Sequence, residues 1–566
     1  MTATAGGDLA IVGARLRTNT DADSDATAIL VRDGRIAMIG DDETILAAAA
    51  AAAAADAAAS DAGIEVRDVA GATVTPGLFD SHTHPHWAAD VTAGIDLGGL
   101  GTIAELRAAI AAEHARLPEG AWLRGWNLEY EAFEHGDEGP GAGEPAGLRG
   151  DLLEDAAPGR PVALICYDLH TALGTAPALA AAGITGPRDF DDASEIVVDA
   201  SGIPTGELRE PTAYNLLFDA APKPSHDEER DALRDMFRRL AAAGLTGGAI
   251  MDGKDRTVEL LAELEQRGEL DHRVTVHHWH AVGDTDDDVA RVIAAKDRCG
   301  RLWQTGAIKL FSDGVIDTGT AWLHEPDTCG DGRSAFWPSW ERFGDVVRAY
   351  HDAGMLIATH AVGDYAVSRV LDVYASLPAR DGLPFHSIEH LEVLSDADVD
   401  QLRAVASSGA GVAGVTASMQ PLHMQWRAAD HSDSWAMRLG EGRDETGYRV
   451  RDVLDAGVTL VLGSDWPVAQ CDPRLGMAWA RGRHTPGDAS AHVFEPSQRL
   501  TGEEALLAYT LWPARARGHA DRGVLAPGAV ADLTVWGADP VSVSPDELPE
   551  VPIRLTVVDG RVVHEG

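Results

Sequence analysis

Cysteine is scarce. There are four in 566 residues, Cys166, Cys299, Cys329 and Cys471, and no two stand in a CxxC spacing. That argues against a disulfide framework or a thiolate zinc site as the organising feature. Basic residues are also in short supply: 46 Lys and Arg face 90 Asp and Glu, a formal charge of −44. A surface this acidic repels nucleic acid and anionic membranes, so neither is expected as a partner. The excess reads as solvated acidic surface. A field steering cationic substrates would require the charge to gather at a cleft. No run of about 20 strongly apolar residues exists, so no membrane span is expected. The opening MTATAGGDLAIVGARLRT has no basic segment followed by a long apolar one, and no signal peptide is expected. These features point to the cytoplasm.

Apolar residues make up 45% of the chain, ordinary for a globular protein, so disorder is not the reading for its bulk. Both ends read as short strands and turns. Ala28-Ile29-Leu30-Val31 runs into Asp33-Gly34, and Leu555-Thr556-Val557-Val558 into Asp559-Gly560. Asp-Gly between apolar runs signals a hairpin. The two ends are expected to build one small β-sandwich, from residues 1–73 and 517–566. The alanine-rich run at 46–60 has helix propensity but little area to bury, and reads as a solvent-facing helical or poorly ordered insertion. Between them, residues 74–516 alternate strand-like apolar runs with helical patterns, the signature of βα units around a parallel sheet. The expected fold is α/β, a (β/α)8 barrel. The rhythm weakens at about 100–208, which includes the Gly- and Pro-rich stretch from Gly136 to Gly150. That segment reads as an insertion after the first barrel strand, covering one mouth.

Chemistry gathers at the ends of the strand-like runs. Val74 to Phe79 reads as a strand, with Gly77 allowing close packing; His82 and His84 follow, two residues apart, so an extended chain points both to one side. Imidazoles so placed can share a cation. His86, after Pro85, reads as a supporting residue. Lys309, His360, His390 and Asp465 each end a further run, where barrel enzymes place catalytic groups. Taken singly, each has an ordinary structural explanation, a hydrogen-bonded core histidine or a helix-capping aspartate. Recurrence at the same kind of place weakens that explanation. The set suits a divalent metal, zinc first, with manganese, iron or nickel as alternatives. A metal lowers the pKa of bound water to roughly 7, and Asp465 could then take and return a proton. A protonated Lys309 cannot bind a metal; carboxylation by carbon dioxide would make it an oxygen ligand. His170, His423 and Trp466 are candidate substrate contacts. Asp313 and Asp317 could face the site, though capping or turn roles fit them better.

The segments TPGLFDSHTH, GAIKLFSDG, THAVGDYAV, SIEHLEVL, GSDWPV and LAPGAVADLTVW resemble those of the amidohydrolase superfamily. They are most similar to its YtcJ-like branch, which includes N-substituted formamide deformylases. The resemblance runs from about Leu9 to Val563. It implies a barrel carrying a composite β-sandwich. It also implies that His82, His84, Lys309, His360, His390 and Asp465 are metal ligands for one or two ions, with Asp465 the proton shuttle. In the reaction expected below, His390 or His423 could help to stabilise an oxyanion. Two departures fall in the expected substrate region. The branch reads Gly-Trp-Asp where this chain has Gly125-Trp126-Asn127, and an Asn-Ser pair where it has Thr171-Ala172-Leu173-Gly174-Thr175. The expected reaction is hydrolysis of a non-peptide carbon–nitrogen bond in a small-molecule amide or formamide. The rivals are an ester or lactone hydrolase, a heterocycle deaminase, and a non-catalytic barrel scaffold. An even homo-oligomer is compatible with such a fold.

Overall fold

The computed structural model describes residues 7–20, 25–56, 64–92, 94–134, 147–191, 194–378, 386–407, 414–488 and 490–566. Residues 136–146 of the Gly- and Pro-rich stretch and 57–60 of the alanine run lie outside these.

Eight parallel strands form the central sheet, in chain order: β1 Leu78–Thr83, β2 Leu245–Gly253, β3 Arg273–Trp279, β4 Trp303–Phe311, β5 Leu356–Ala361, β6 His386–His390, β7 Val415–Met419 and β8 Thr459–Leu462. Their inner and outer faces are buried, and helices cover the outside. Helix Trp340–Asp352, for example, buries Phe343, Val346, Val347 and Tyr350 at three- and four-residue spacing, which makes one apolar stripe toward the sheet. The ring closes between β8 and β1 by contacts just past β8. Asp465 N donates to His82 O at 2.8 Å and His84 N to Trp466 O at 2.8 Å. Asp80 accepts from Ser464 N at 3.0 Å and from Ser464 Oγ at 2.6 Å. An added Cβ on Gly463 would lie 2.6 Å from His82 N, so only glycine permits this approach.

The termini build the expected β-sandwich. One sheet orders Arg35–Gly40, Ala28–Arg32, Leu9–Val12 and Glu65–Asp68; the other Arg15–Leu16, Thr73–Pro76, Leu533–Trp536, Ile553–Val558 and Arg561–Glu565. Leu9, Ile11, Val31, Val74, Leu533 and Val557 fill the space between them. Both Asp-Gly pairs are hairpin turns, with φ of 47° and 72° at Asp33 and Gly34 and 53° and 75° at Asp559 and Gly560. Two expectations change. The run Val74 to Phe79 is two strands: Thr73–Pro76 pairs in the sandwich, Gly77 turns the chain, and β1 starts at Leu78. The alanine run is not simply solvent-facing. It belongs to helix Asp42–Asp56, which seats Ile45 and Ala49 on Ala10, Val12, Ala28 and Leu30.

The insertion between β1 and β2 is a folded layer. Six strands, Ile95–Asp96, Leu123–Leu128, Val162–Cys166, Thr171–Gly174, Glu195–Val198 and Pro204–Arg209, form one sheet. It sits against the C-terminal mouth of the barrel and carries Tyr167, Asp168 and His170 into the cavity there. No helix among the described residues is long and apolar enough to cross a membrane.

Candidate functional site

Two adjoining cavities open at the C-terminal ends of the barrel strands. One, about 350 Å³, is bounded by His82, His84, Lys309, His360, His390 and Asp465. The other, about 630 Å³, shares His170, His360, His390 and Asp465 and extends outward past Tyr167, Asp317, Glu392, His423 and Trp426.

His82 lies at the centre. Its Nδ1 is 2.7 Å from Glu389 Oε2, and its Nε2 is 3.1 Å from Lys309 Nζ and 3.4 Å from Asp465 Oδ1. Donation from Nδ1 to the Glu389 carboxylate would leave the Nε2 lone pair facing the cavity. His84 Nε2 is 3.1 Å from Asp465 Oδ1. His390 Nδ1 is 3.0 Å from Gln420 Oε1 and 3.7 Å from Asp465 Oδ2. The His360 ring packs 4.5 Å from that of His390, while its Nε2 faces Gly314 O at 3.0 Å. His390 and Asp465 hold positive φ, 78° and 58°, uncommon for residues other than glycine and a feature that clusters at functional sites.

Burial and charge set the protonation. His82, His360 and His390 are pushed well below the usual histidine value, first by burial and then by neighbouring cations, so they stay neutral with lone pairs available. Lys309 is lowered to about 8 by burial, against the pull of Glu389 and Asp465. Burial would raise Asp465, but hydrogen bonding to His84 and the surrounding cations outweigh it and hold the carboxyl below its ordinary value. Glu389 is raised by burial. His170 is raised to about 9: burial opposes this, but the Glu210 carboxylate, 2.8 Å from its Nδ1, prevails.

This donor set fits a divalent cation. Ligand atoms from His82, His390 and Asp465 lie within 4.8 Å of one another, and all three residues are buried. Neutral imidazoles with a carboxylate, metal-to-ligand distances of about 2.0–2.2 Å and an open side suit zinc-like coordination. His84 and Lys309 border the same space. His360, with its Nε2 on the Gly314 carbonyl, stands beside the three-residue cluster rather than in it.

Of the residues proposed to touch substrate, His170 and His423 line the outer cavity. His423 Nδ1 is 3.5 Å from Glu392 Oε1, and its buried Nε2 has no hydrogen-bond partner. Trp466 is a correction. Its indole is buried on the outer side of the barrel, donating to Met236 Sδ at 3.2 Å, stacked under Arg239 at 4.3 Å and edge-on to Trp126 at 5.7 Å. It borders neither cavity, because the chain turns at Asp465 and sends the next side chain outward. Asn127 also points away from both, donating to Asp96 Oδ1 at 3.1 Å, and Thr171–Gly174 is an inner strand of the insertion sheet. His86 joins Thr257 and Glu229 outside the site. Asp313 organises the loop beside it, accepting from Trp322 N, Val362 N and Gly363 N. Asp317, against its expected turn role, lines the outer cavity, accepts from Ser434 Oγ at 2.7 Å and is raised to about 7 by burial. Glu389, Gln420 and Glu210 escaped the sequence reading, since nothing local marks a residue that acts by holding a distant histidine.

Residues 65–564 match the amidohydrolase family. The chain is 29% identical to the N-substituted formamide deformylase of Arthrobacter pascens, over 99% of this chain and 98% of that protein. It is also 29% identical to the putative amidohydrolase YtcJ of Bacillus subtilis, over 88% and 89%. Among solved structures, an uncharacterised metal-dependent hydrolase from Pyrococcus horikoshii superposes with a TM-score of 0.71 at 21% identity, covering 95% of this chain and 99% of that one. That likeness concerns the fold. With histidines, a lysine and an aspartate at the mouth of an eight-stranded barrel, and a match running through almost all of it, the chain belongs to the amidohydrolase family.

Proposed function

We propose that the protein is a metal-dependent hydrolase that cleaves a non-peptide carbon–nitrogen bond in a small-molecule amide or formamide. One observation carries this reading: neutral His82 and His390 converge with ionised Asp465 in the inner cavity, and His390 and Asp465 also line the outer cavity that adjoins it. The names of the two relatives support the same class of bond.

His82, His84, His390 and Asp465 would hold the cation, zinc first among divalent metals, with His360 and a carboxylated Lys309 completing a two-metal version. When bound, the cation supplies Lewis acidity and a water acidic enough to deprotonate near neutral pH. Burial keeps a fraction of Lys309 as the neutral amine, the form that reacts with carbon dioxide. Asp465, ionised and 3.1 Å from His84 Nε2, takes the proton of the attacking water and returns it to the leaving nitrogen. His423 lines the outer cavity with its Nε2 partnerless, and that nitrogen could donate to the developing oxyanion. Tyr167 and Trp426, stacked at 4.7 Å, offer an aromatic wall to the outer cavity. The few free thiols fit a cytoplasmic enzyme.

The test combines elemental analysis with hydrolysis of an N-formyl and N-acyl amine panel before and after chelation. Bound divalent metal with chelator-sensitive release of amine supports the reading. Two equivalents favour the carboxylated Lys309, and one favours the His82, His390 and Asp465 cluster alone. Metal-restored protein that turns over esters or heterocyclic amines but no amide would overturn the bond assignment.

A further inference from the structure

At the opposite, N-terminal mouth of the barrel, a second polar cleft of about 460 Å³ lies between β1, β2 and the terminal sandwich. Four of its lining side chains are basic, Arg273, Arg517, His519 and Arg522, and one, Asp532, is acidic. Asp532 is already engaged. It accepts from Arg273 Nε at 2.6 Å and Nη2 at 3.1 Å, and Asp559 takes a further contact from Nη2 at 3.4 Å. Arg517 rests on carbonyls, Pro513 O at 3.3 Å and Ser81 O at 3.4 Å, and stacks 4.6 Å over the Phe79 ring. Neither Arg517 nor Arg522 makes an ion pair among the described residues.

Three buried nitrogens at this cleft, Arg517 Nε, His519 Nε2 and Arg522 Nε, have no hydrogen-bond partner. Unpaired polar donors out of water are costly, and proteins retain them where something pairs with them. Burial is the first cause of a lowered protonation at all three groups. Burial lowers Arg517 to about 10, against the distant pull of Glu389 and Asp80. Burial and then the charge of Arg273 lower Arg522 despite Asp532 and Asp521, and Asp521 itself faces Arg35 at 3.0 Å. Burial, Arg522 and Arg517 lower His519 to about 4. In a chain with 90 acidic and 46 basic residues, this cleft gathers three guanidinium groups, of which Arg273 alone makes an ion pair with a carboxylate among the described residues.

We propose that the cleft is a binding site for a small oxyanion, phosphate or sulfate in type, held by Arg517, His519 and Arg522. Guanidinium N–H groups match such an anion as they match a carboxylate. Bound there, it would join helix Leu511–Ala516 and the segment entering strand Leu533–Trp536 to the base of β1 and β2. The inference is independent of the reaction at the other mouth.

Thermal unfolding of the full-length protein would be followed against sodium phosphate and sodium sulfate, with sodium chloride at equal ionic strength as reference. A midpoint that rises with one or both oxyanions and not with chloride is expected, since a ligand of the native state stabilises it. Arg522→Gln and His519→Gln should each weaken the apparent affinity by about tenfold or more, the loss of one charge-assisted hydrogen bond. His84→Asn, at the far mouth, should leave the response in place. The inference fails if chloride reproduces the effect. It fails equally if the response survives both Arg522→Gln and His519→Gln, or disappears in His84→Asn. Should Arg522→Gln not fold, the comparison of His519→Gln with His84→Asn decides.

Discussion

Glu389 and His390 are consecutive residues of one strand, yet both reach the site. Strand geometry alone would send them to opposite faces of the sheet. The φ of 78° at His390 turns the chain at the end of β6, so Glu389 meets His82 inside the barrel while His390 meets Gln420 and Asp465 above it. Glu389 therefore sets the tautomer of His82 without touching the cavity. Glu389→Gln keeps the shape but removes the charge that holds the Nδ1 proton, and metal affinity is expected to fall about 10–100-fold. Competition with a chromogenic chelator would measure it, with an unchanged far-UV spectrum as control; unchanged affinity would remove Glu389 from the site. The same turning of the chain after β8 puts Asp465 at the mouth and Trp466 outside, a division invisible in the string Ser464-Asp465-Trp466.

At the scale of elements, the site depends on how closely β8 approaches β1. Strands from both sides of this seam carry or border the chemistry, and the ring shuts through Gly463, Ser464 and Asp80 rather than through a full ladder. Gly463→Ala places a methyl 2.6 Å from His82 N. Overpacking of this kind costs roughly 1–3 kcal/mol. The thermal midpoint should fall, and metal content with it, because His82 and Asp465 stand on the two edges being forced apart. A variant of wild-type stability and full metal content would show that the closure is looser than described. Strand positions and hairpin turns were legible in advance, because apolar runs and Asp-Gly pairs are local signals. The division of Val74 to Phe79 between two sheets was not, because both halves are apolar and extended, and only their partners differ.

For the molecule as a whole, the barrel and the sandwich are joined by a buried ion pair. Arg273 of β3 meets Asp532, just before strand Leu533–Trp536, and Asp559 in the terminal hairpin. Burial raises Asp532, but the Arg273 guanidinium prevails and keeps the carboxyl below its ordinary value. Asp532→Asn leaves a buried guanidinium short of charge, and breaking such a pair costs about 3–5 kcal/mol. A carboxyl depressed on folding contributes stability that is complete above its unfolded value of about 3.9 and is lost as pH falls through the lower folded value. The gap in thermal midpoint between wild type and Asp532→Asn should therefore be constant above about pH 5 and narrow in acid. A gap independent of pH down to acid unfolding would mean that Asp532 acts by shape and not by charge.

By itself, the sequence determined the class of fold, the pairing of the two chain ends in one sandwich, and the positions of His82, His84, Lys309, His360, His390 and Asp465 at strand ends. Each rests on periodicity, turn chemistry or motif, all properties of neighbouring residues. The tertiary structure alone decided that Glu389 supports His82, that Asp317 lines the cavity and Trp466 does not, and that four basic side chains meet behind the barrel. These depend on the direction of side chains brought together from distant parts of the chain, and a single turn of backbone at His390 or Asp465 is enough to redirect them.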